Sequence, residues 1–209
     1  MALTKVRGGG VDNPLTLGGG AASDSSIIFD GNAQDFHIGL DDSTDSLTIG
    51  LGSTLGTTSH MVVDATGAIT KPLQPAFQVH PAVLQENLST GTTTVVFGTE
   101  RFDVNGDFAS NTFTAPVTGK YQLNVAMYLQ SIPIDATYIE IFINTSNNDY
   151  YHSIDPRGLD QIPILMSFSF AVLADMDAND TAVVKITQSG GTTSLDVSGA
   201  SDFSGYLAC

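Results

Sequence analysis

Two groups of acidic residues are of the type that hard cations require: Asp41, Asp42 and Asp45 in one short turn, and Asp175, Asp177 and Asp180 in another. Carboxylates can ring a calcium ion, but known loops space them as Asp-x-Asp-x-Asp-Gly. Neither group has that spacing, so each reads as a solvated turn or as an unassigned set of oxygen ligands. His37, His60, His80 and His152 are scattered without metal-ligand spacing, and no metal ligand is assigned. Nucleophilic and phosphate chemistry lack their motifs. There is no Gly-x-Ser-x-Gly elbow, no His-Glu-x-x-His and no Gly-x-Gly-x-x-Gly, and Gly119-Lys120 is followed by Tyr121 without the earlier glycine of a phosphate loop. The sole cysteine is Cys209, so no intrachain disulfide can form. The expectation is a protein without catalytic residues and without an assigned cofactor.

Recognition chemistry has one candidate. The stretch Ser146-Asn-Asn-Asp-Tyr-Tyr-His-Ser153, running on to Asp155-Pro-Arg-Gly158, concentrates polar residues around two tyrosines and a histidine. Tyrosine is amphipathic and orders at low entropic cost, so Tyr150, Tyr151 and His152 are expected receptor or glycan contacts on a loop. The competing reading places one or both tyrosines in a strand or in a contact between subunits.

Composition narrows the partners. Seven basic residues stand against 22 acidic ones, a net charge of −15 shared by both halves of the chain. Nucleic acid is excluded as an expected partner, because phosphate binding requires clustered Lys and Arg. Charged residues are only 14% of the chain, below the roughly 25% usual for soluble domains, which points to surface covered by other subunits. No apolar run reaches the roughly 18 residues of a membrane span, and the opening Met1 to Gly10 lacks the apolar core of a signal peptide. The expectation is a chain made in a host cytoplasm, with no membrane insertion.

The elements that must position these residues are strands. Residues 1–25 carry two triple-glycine runs, Gly8–Gly10 and Gly18–Gly20, around Val11 to Leu17, and read as an extended arm. Residues 26–72 hold short apolar strands: Ile27–Phe29, Phe36–Leu40, Leu47–Leu51, Met61–Val63 and Ala68–Ile69. Alternation puts Phe36, Ile38 and Leu40 on one face, and Leu47, Ile49 and Leu51 on the next across the turn Asp41–Ser46. The recurring Ile-Gly-Leu at 38–40 and 49–51 reads as a hairpin. So short a segment cannot build its own core, so its apolar face is expected to bury against copies of itself as a trimeric stalk.

From 73 to 209 the strands lengthen. Tyr121, Leu123, Val125, Met127 and Leu129 alternate with polar residues, Ile139, Ile141 and Ile143 form a second set, and Ile162 to Ala174 is expected to form a third strand. With turn signals such as Asn105-Gly106 and Thr118-Gly119 and no amphipathic helix, the fold class is all-β: a C-terminal antiparallel sandwich, a short β-rich stalk and an extended N-terminal arm.

Three blocks in order resemble the globular head of the complement component 1q and tumour necrosis factor family. They are Pro75-Ala-Phe-Gln-Val79, the block from Phe108 through Phe113, Pro116 and Gly119 to Tyr121, and Phe203-Ser-Gly-Tyr-Leu207. The resemblance, over about 75–207, implies a jelly roll, a homotrimer and a non-enzymatic binding role. Some such heads hold calcium, but the ligands cannot be matched here, so calcium stays unassigned. There is no collagen-like Gly-X-Y stalk and no paired cysteine. Ile28 to Phe36 and Ile38 to Asp45 instead resemble connecting segments in structural proteins of marine tailed bacteriophages, and Met1 to Val6 is similar to the start of some phage tail proteins. These likenesses imply a tail fibre or tail-tip protein in the virion, docked to other virion proteins through the arm and binding a bacterial surface protein or glycan through the head. A capsid decoration or head-fibre protein, and a cellular ligand-like binding module, are the alternative readings.

Overall fold

A computed structural model describes residues 16–209, so the expected arm lies largely outside the described residues. The chain divides into two compact units, Met1–Leu73 and Gln74–Cys209. Among the described residues the only helical element is a 3-10 turn at Pro156–Gly158, and no helix is long and apolar enough to cross a membrane.

The first unit is one antiparallel sheet in sequential order, β1 (Ser25–Phe29), β2 (Phe36–Asp41), β3 (Ser46–Leu51), β4 (Ser59–Val63) and β5 (Ile69–Thr70). The expected hairpin is β2–β3, with Phe36 opposite Leu51, Ile38 opposite Ile49 and Leu40 opposite Leu47. Cross-strand partners share a face, so these six side chains lie together. The opposite face carries His37, Gly39, Asp41, Ser46, Thr48 and Gly50, and this polar face is the buried one. The 52–58 loop returns over it. A Cβ on Gly50 would collide with the Thr58 carbonyl, and one on Gly56 would come within 2.7 Å of the Asp41 carboxylate. The glycine repeated in Ile-Gly-Leu therefore serves close backbone approach: a Cβ on Gly39 would lie 2.5 Å from the Ser25 carbonyl oxygen.

The second unit is a two-sheet sandwich. One sheet runs β13 (Asp149–Ile154), β12 (Tyr138–Thr145), β15 (Thr181–Ser189), β10 (Thr112–Thr114) and β9 (Phe108–Ala109), with β7 (Gly91–Thr94) also on β15. The other runs β14 (Met166–Met176), β11 (Gly119–Gln130), β17 (Asp202–Leu207), β6 (Ala76–His80) and β8 (Thr99–Asp103), with β16 (Asp196–Val197) on β11. Eight strands make the main frame, and their pairing is nested. The first, β6, pairs with the last, β17; β10 with β15; β11 with β14; and β12 with β13. A long antiparallel hairpin rolled up on itself gives this pattern, which is the jelly roll.

The core explains the three sequence blocks. Phe77 stacks on Phe113 at 4.6 Å and on Phe108 at 5.3 Å and meets Phe203 edge-on at 5.0 Å, while Phe113 lies 5.4 Å from Tyr121. All five rings are buried. The Tyr121 hydroxyl donates to the Val117 carbonyl at 2.8 Å, tying β11 to the turn before it, and burial raises the Tyr121 pKa. Gly205 faces this cluster, where a Cβ would sit 2.7 Å from Leu123 Cδ2 and 2.8 Å from Phe77 Cε1.

One strand begins later than its alternation implies. β14 starts at Met166, and Ile164 is 91% exposed. Pro163 supplies no amide donor, and the partner β11 ends at Gln130, so residues 162–165 have no ladder to join.

Candidate assembly and recognition surfaces

The outer face of the first unit's sheet is apolar across all five strands. Ile27, Ile38, Ile49 and Met61 form one cross-strand row; Phe29, Phe36 and Leu51 a second; Leu40, Leu47, Val63 and Ile69 a third. None of the eleven is buried, and Phe29 and Ile69 reach 60% and 61% exposure. Leu17, which ends the apolar part of the arm, lines a depression on this face with Ile27, Ile38 and Leu40. Single exposed apolar residues are ordinary, whereas a contiguous apolar sheet face marks an interaction surface.

The second unit has two surfaces of a different kind. The outer face of the β14-β11-β17-β6-β8 sheet presents Gln122, Asn124, Ala126, Ser169, Ala171, Ser204 and Gln78, none of them charged. Asp202 stands among them opposite Ala126, paired with Arg101 at 3.2 Å, and Lys120 pairs with Asp175 at the end of β11. The second surface is the seam between the edge strands β13 and β14. Met166, Phe168, Phe170, Val172, Tyr150 and Ile154 are only half-buried there, next to the exposed Ile162, Ile164 and Leu165.

The expected contact residues lie on β13 rather than on a loop. The turn is confined to 145–148, where the Thr145 hydroxyl oxygen accepts from the backbone amides of Asn147 and Asn148. From Asp149 the chain pairs with β12, putting Tyr150 opposite Ile143, Tyr151 opposite Phe142 and His152 opposite Ile141. Alternation then separates the three. Tyr150 packs against the core and His152 lies against Phe168 and Phe170, with ring centroids 5.8 and 6.0 Å away. Tyr151 points outward at 54% exposure, stacked on Phe142 at 4.8 Å, and its hydroxyl donates to Asp149 Oδ2 at 2.9 Å. That hydrogen bond raises the Tyr151 pKa. Phe142 belongs to the same surface and was not singled out in the sequence, because only the strand register brings it to Tyr151; Asp149, two residues before Tyr151, lies within the stretch that was.

The acidic turns are internally bonded. Asp41 accepts from the Ser43 amide at 3.0 Å and hydroxyl at 2.6 Å, and the latter bond holds its carboxyl below the usual range. Asp180 Oδ2 accepts from Asn147 Nδ2 at 2.7 Å and from the Asp177 amide at 2.8 Å. Among the described residues, no three His, Cys, Asp or Glu side chains converge on a metal-sized point.

No family model matches the sequence, and a search of curated proteins gives no match. Solved structures do. The globular domain of zebrafish complement 1qA is similar at TM-score 0.45 and 18% identity, covering 65% of this chain and 98% of that one. Murine APRIL at pH 8.0 is similar at TM-score 0.47 and 13% identity, covering 64% and 98%. At these identities and scores the likeness carries no functional information.

Proposed function

We propose that this chain is the protomer of a non-enzymatic homotrimeric virion appendage, a phage tail fibre or tail-tip protein. In this reading the N-terminal arm docks to other virion proteins, the β1–β5 sheet forms the stalk, and the jelly roll binds a host-surface receptor. The observation that carries it is the apolar face of the first unit, eleven side chains none of which is buried by the described residues, on a sheet whose opposite face is already covered at β2 and β3. Copies of the same segment are the natural cover, since like faces meeting around an axis bury all three rows at once.

The head supports the same assembly. Its polar sheet face and its half-buried β13–β14 seam are two different surfaces on one protomer, so a contact between the seam of one copy and the face of the next would be head-to-tail, the kind that builds a closed ring. The virion setting is supported by the resemblance of Ile28–Phe36 and Ile38–Asp45 to phage connecting segments. Three heads would convert modest single-site affinity into avidity for a dense receptor.

Labelling this chain on particles and imaging them tests the setting. Signal at the tail is expected. Signal over the capsid or its vertices instead makes it a decoration or head-fibre protein, and absence from particles returns the reading to a cellular binding module. Deleting residues 1–22 should leave a soluble trimer that adsorbs to host cells but no longer enters virions.

A further inference from the structure

Phe142 and Tyr151 form a two-ring stack on the outer face of the β12–β13 pair. Phe142 is buried beneath, so Tyr151 is backed on one side and open on the other. A tyrosine held this way loses little entropy on binding and offers a flat aromatic face to a ligand's C–H groups.

A polar chain runs beside that face across three strands. Lys185 Nζ donates to Asn144 Oδ1 at 2.7 Å, Asn144 Nδ2 donates to Asp149 Oδ1 at 2.5 Å, and the Tyr151 hydroxyl donates to Asp149 Oδ2 at 2.9 Å. Each Asp149 oxygen accepts one of these bonds, and a carboxylate has about four acceptor sites, so it retains capacity for a ligand hydroxyl. Asn147 is held by the Asp175 carbonyl and the Asp180 carboxylate, and with Asn144, Asp149 and Tyr151 it lines an open depression of about 510 Å³. That volume falls within the roughly 300–1,000 Å³ of small-ligand sites. An aromatic platform with fixed hydroxyl-bonding groups at its rim has the chemistry of a sugar site: the ring stacks on its C–H face while its hydroxyls bond to carboxylate and amide.

The surroundings select among ligands. Glu140, with the Ser153 hydroxyl on it at 3.0 Å, adds a second carboxylate to the same sheet face, and the cation there, Lys185, is already engaged by Asn144. Anionic sugars meet net negative charge, while neutral and amino sugars do not. A protein partner fits less well, because it needs roughly 800 Å² per side with an apolar centre, and the cross-strand row next to that of Tyr151, Phe142 and Lys185 is polar: Ser153, Glu140 and Thr187. We infer that this face is a saccharide-binding site for neutral or amino sugars, with Tyr151 as the stacking platform and Asp149 as the hydroxyl- or ammonium-accepting group. Its role in host attachment rests on the receptor-binding reading above; the site itself does not.

Saturation-transfer difference NMR on the purified full chain tests it, with methyl β-glucopyranoside, N-acetylglucosamine, a glucosamine tetramer and a trigalacturonate as probes. Signal on the ring C–H protons of the first three is expected, with none from trigalacturonate. Tyr151→Ala should weaken binding at least about tenfold, whereas Tyr151→Phe, which keeps the platform and drops the hydroxyl, should cost roughly threefold. Strongest binding by trigalacturonate overturns the inference, as does binding undiminished in Tyr151→Ala. A protein that adsorbs to host cells yet ignores all four sugars overturns this site and leaves the appendage reading. Tyr151-dependent sugar binding by a chain absent from virions does the reverse.

Discussion

The two units are written in the same alternation and resolve it in opposite directions. In β11 the apolar set Tyr121, Leu123, Val125, Met127 and Leu129 is buried inside the sandwich while Gln122 and Asn124 face out. In β2 and β3 the apolar set faces out, and His37, Asp41, Ser46 and Thr48 are buried. A strand's period of two decides which residues share a face; what lies over each face decides which one is inside. The head carries a second sheet to cover its apolar face. Among its described residues the first unit has the 52–58 loop, and that loop covers the side bearing glycines, whose missing side chains permit the approach.

The contrast is sharpest under mutation of the cover. Phe77→Ala removes the ring on which Phe108, Phe113 and Phe203 converge, and should destabilise the head by about 3–5 kcal/mol in denaturant titration. Ile38→Asp with Ile49→Asp, on the open face of the first unit, should leave head stability unchanged and dissociate the assembly. A loss of head stability from that pair would erase the distinction between the units. Tyr121→Phe, which removes the hydroxyl bond to Val117, is expected to cost about 1 kcal/mol by the same titration.

Acid should act with opposite signs at Asp41 and Asp64 of the first unit and at Asp107 of the head, although the head's Asp135 and Asp155, bonded to Thr192 and Arg157, have lowered pKa values like the first pair. In the first unit, the Thr66 hydroxyl on Asp64 and the Ser43 hydroxyl on Asp41 lower both carboxyl pKa values. Their contribution is present above the unfolded value near ~3.9 and is lost as pH falls through the lowered folded value. In the head, burial and then the neighbouring Asp103 raise the pKa of Asp107. Its carboxyl favours folding below the unfolded value, and that contribution is lost as pH rises through the raised one. Amide exchange at Thr66 and Ala68, both bonded to Asp64 Oδ1, should therefore quicken below about pH 4 while exchange around Asp107 does not.

Much of the head was legible because its signals are local and strong. The Phe, Pro and Gly positions of the three blocks are core rings, a turn and a close approach, so the resemblance they carry is a statement about packing. The Ile-Gly-Leu hairpin was legible for the same reason. The expected contact residues Tyr150, Tyr151 and His152 were legible only as types. Polar Asp149, His152 and Ser153 disguise β13 as loop, and nothing within 146–153 announces that Phe142 lies opposite Tyr151. That pairing depends on the turn at 145–148, which the Thr145 hydroxyl holds.

The central claim is that the open apolar face of the first unit is an interface between copies of this chain. Light scattering on the purified full chain tests it most directly. The account predicts a mass of about 66 kDa, three times the 21.9 kDa protomer, persisting at micromolar concentration. A stable monomer of 21.9 kDa under the same conditions would contradict it.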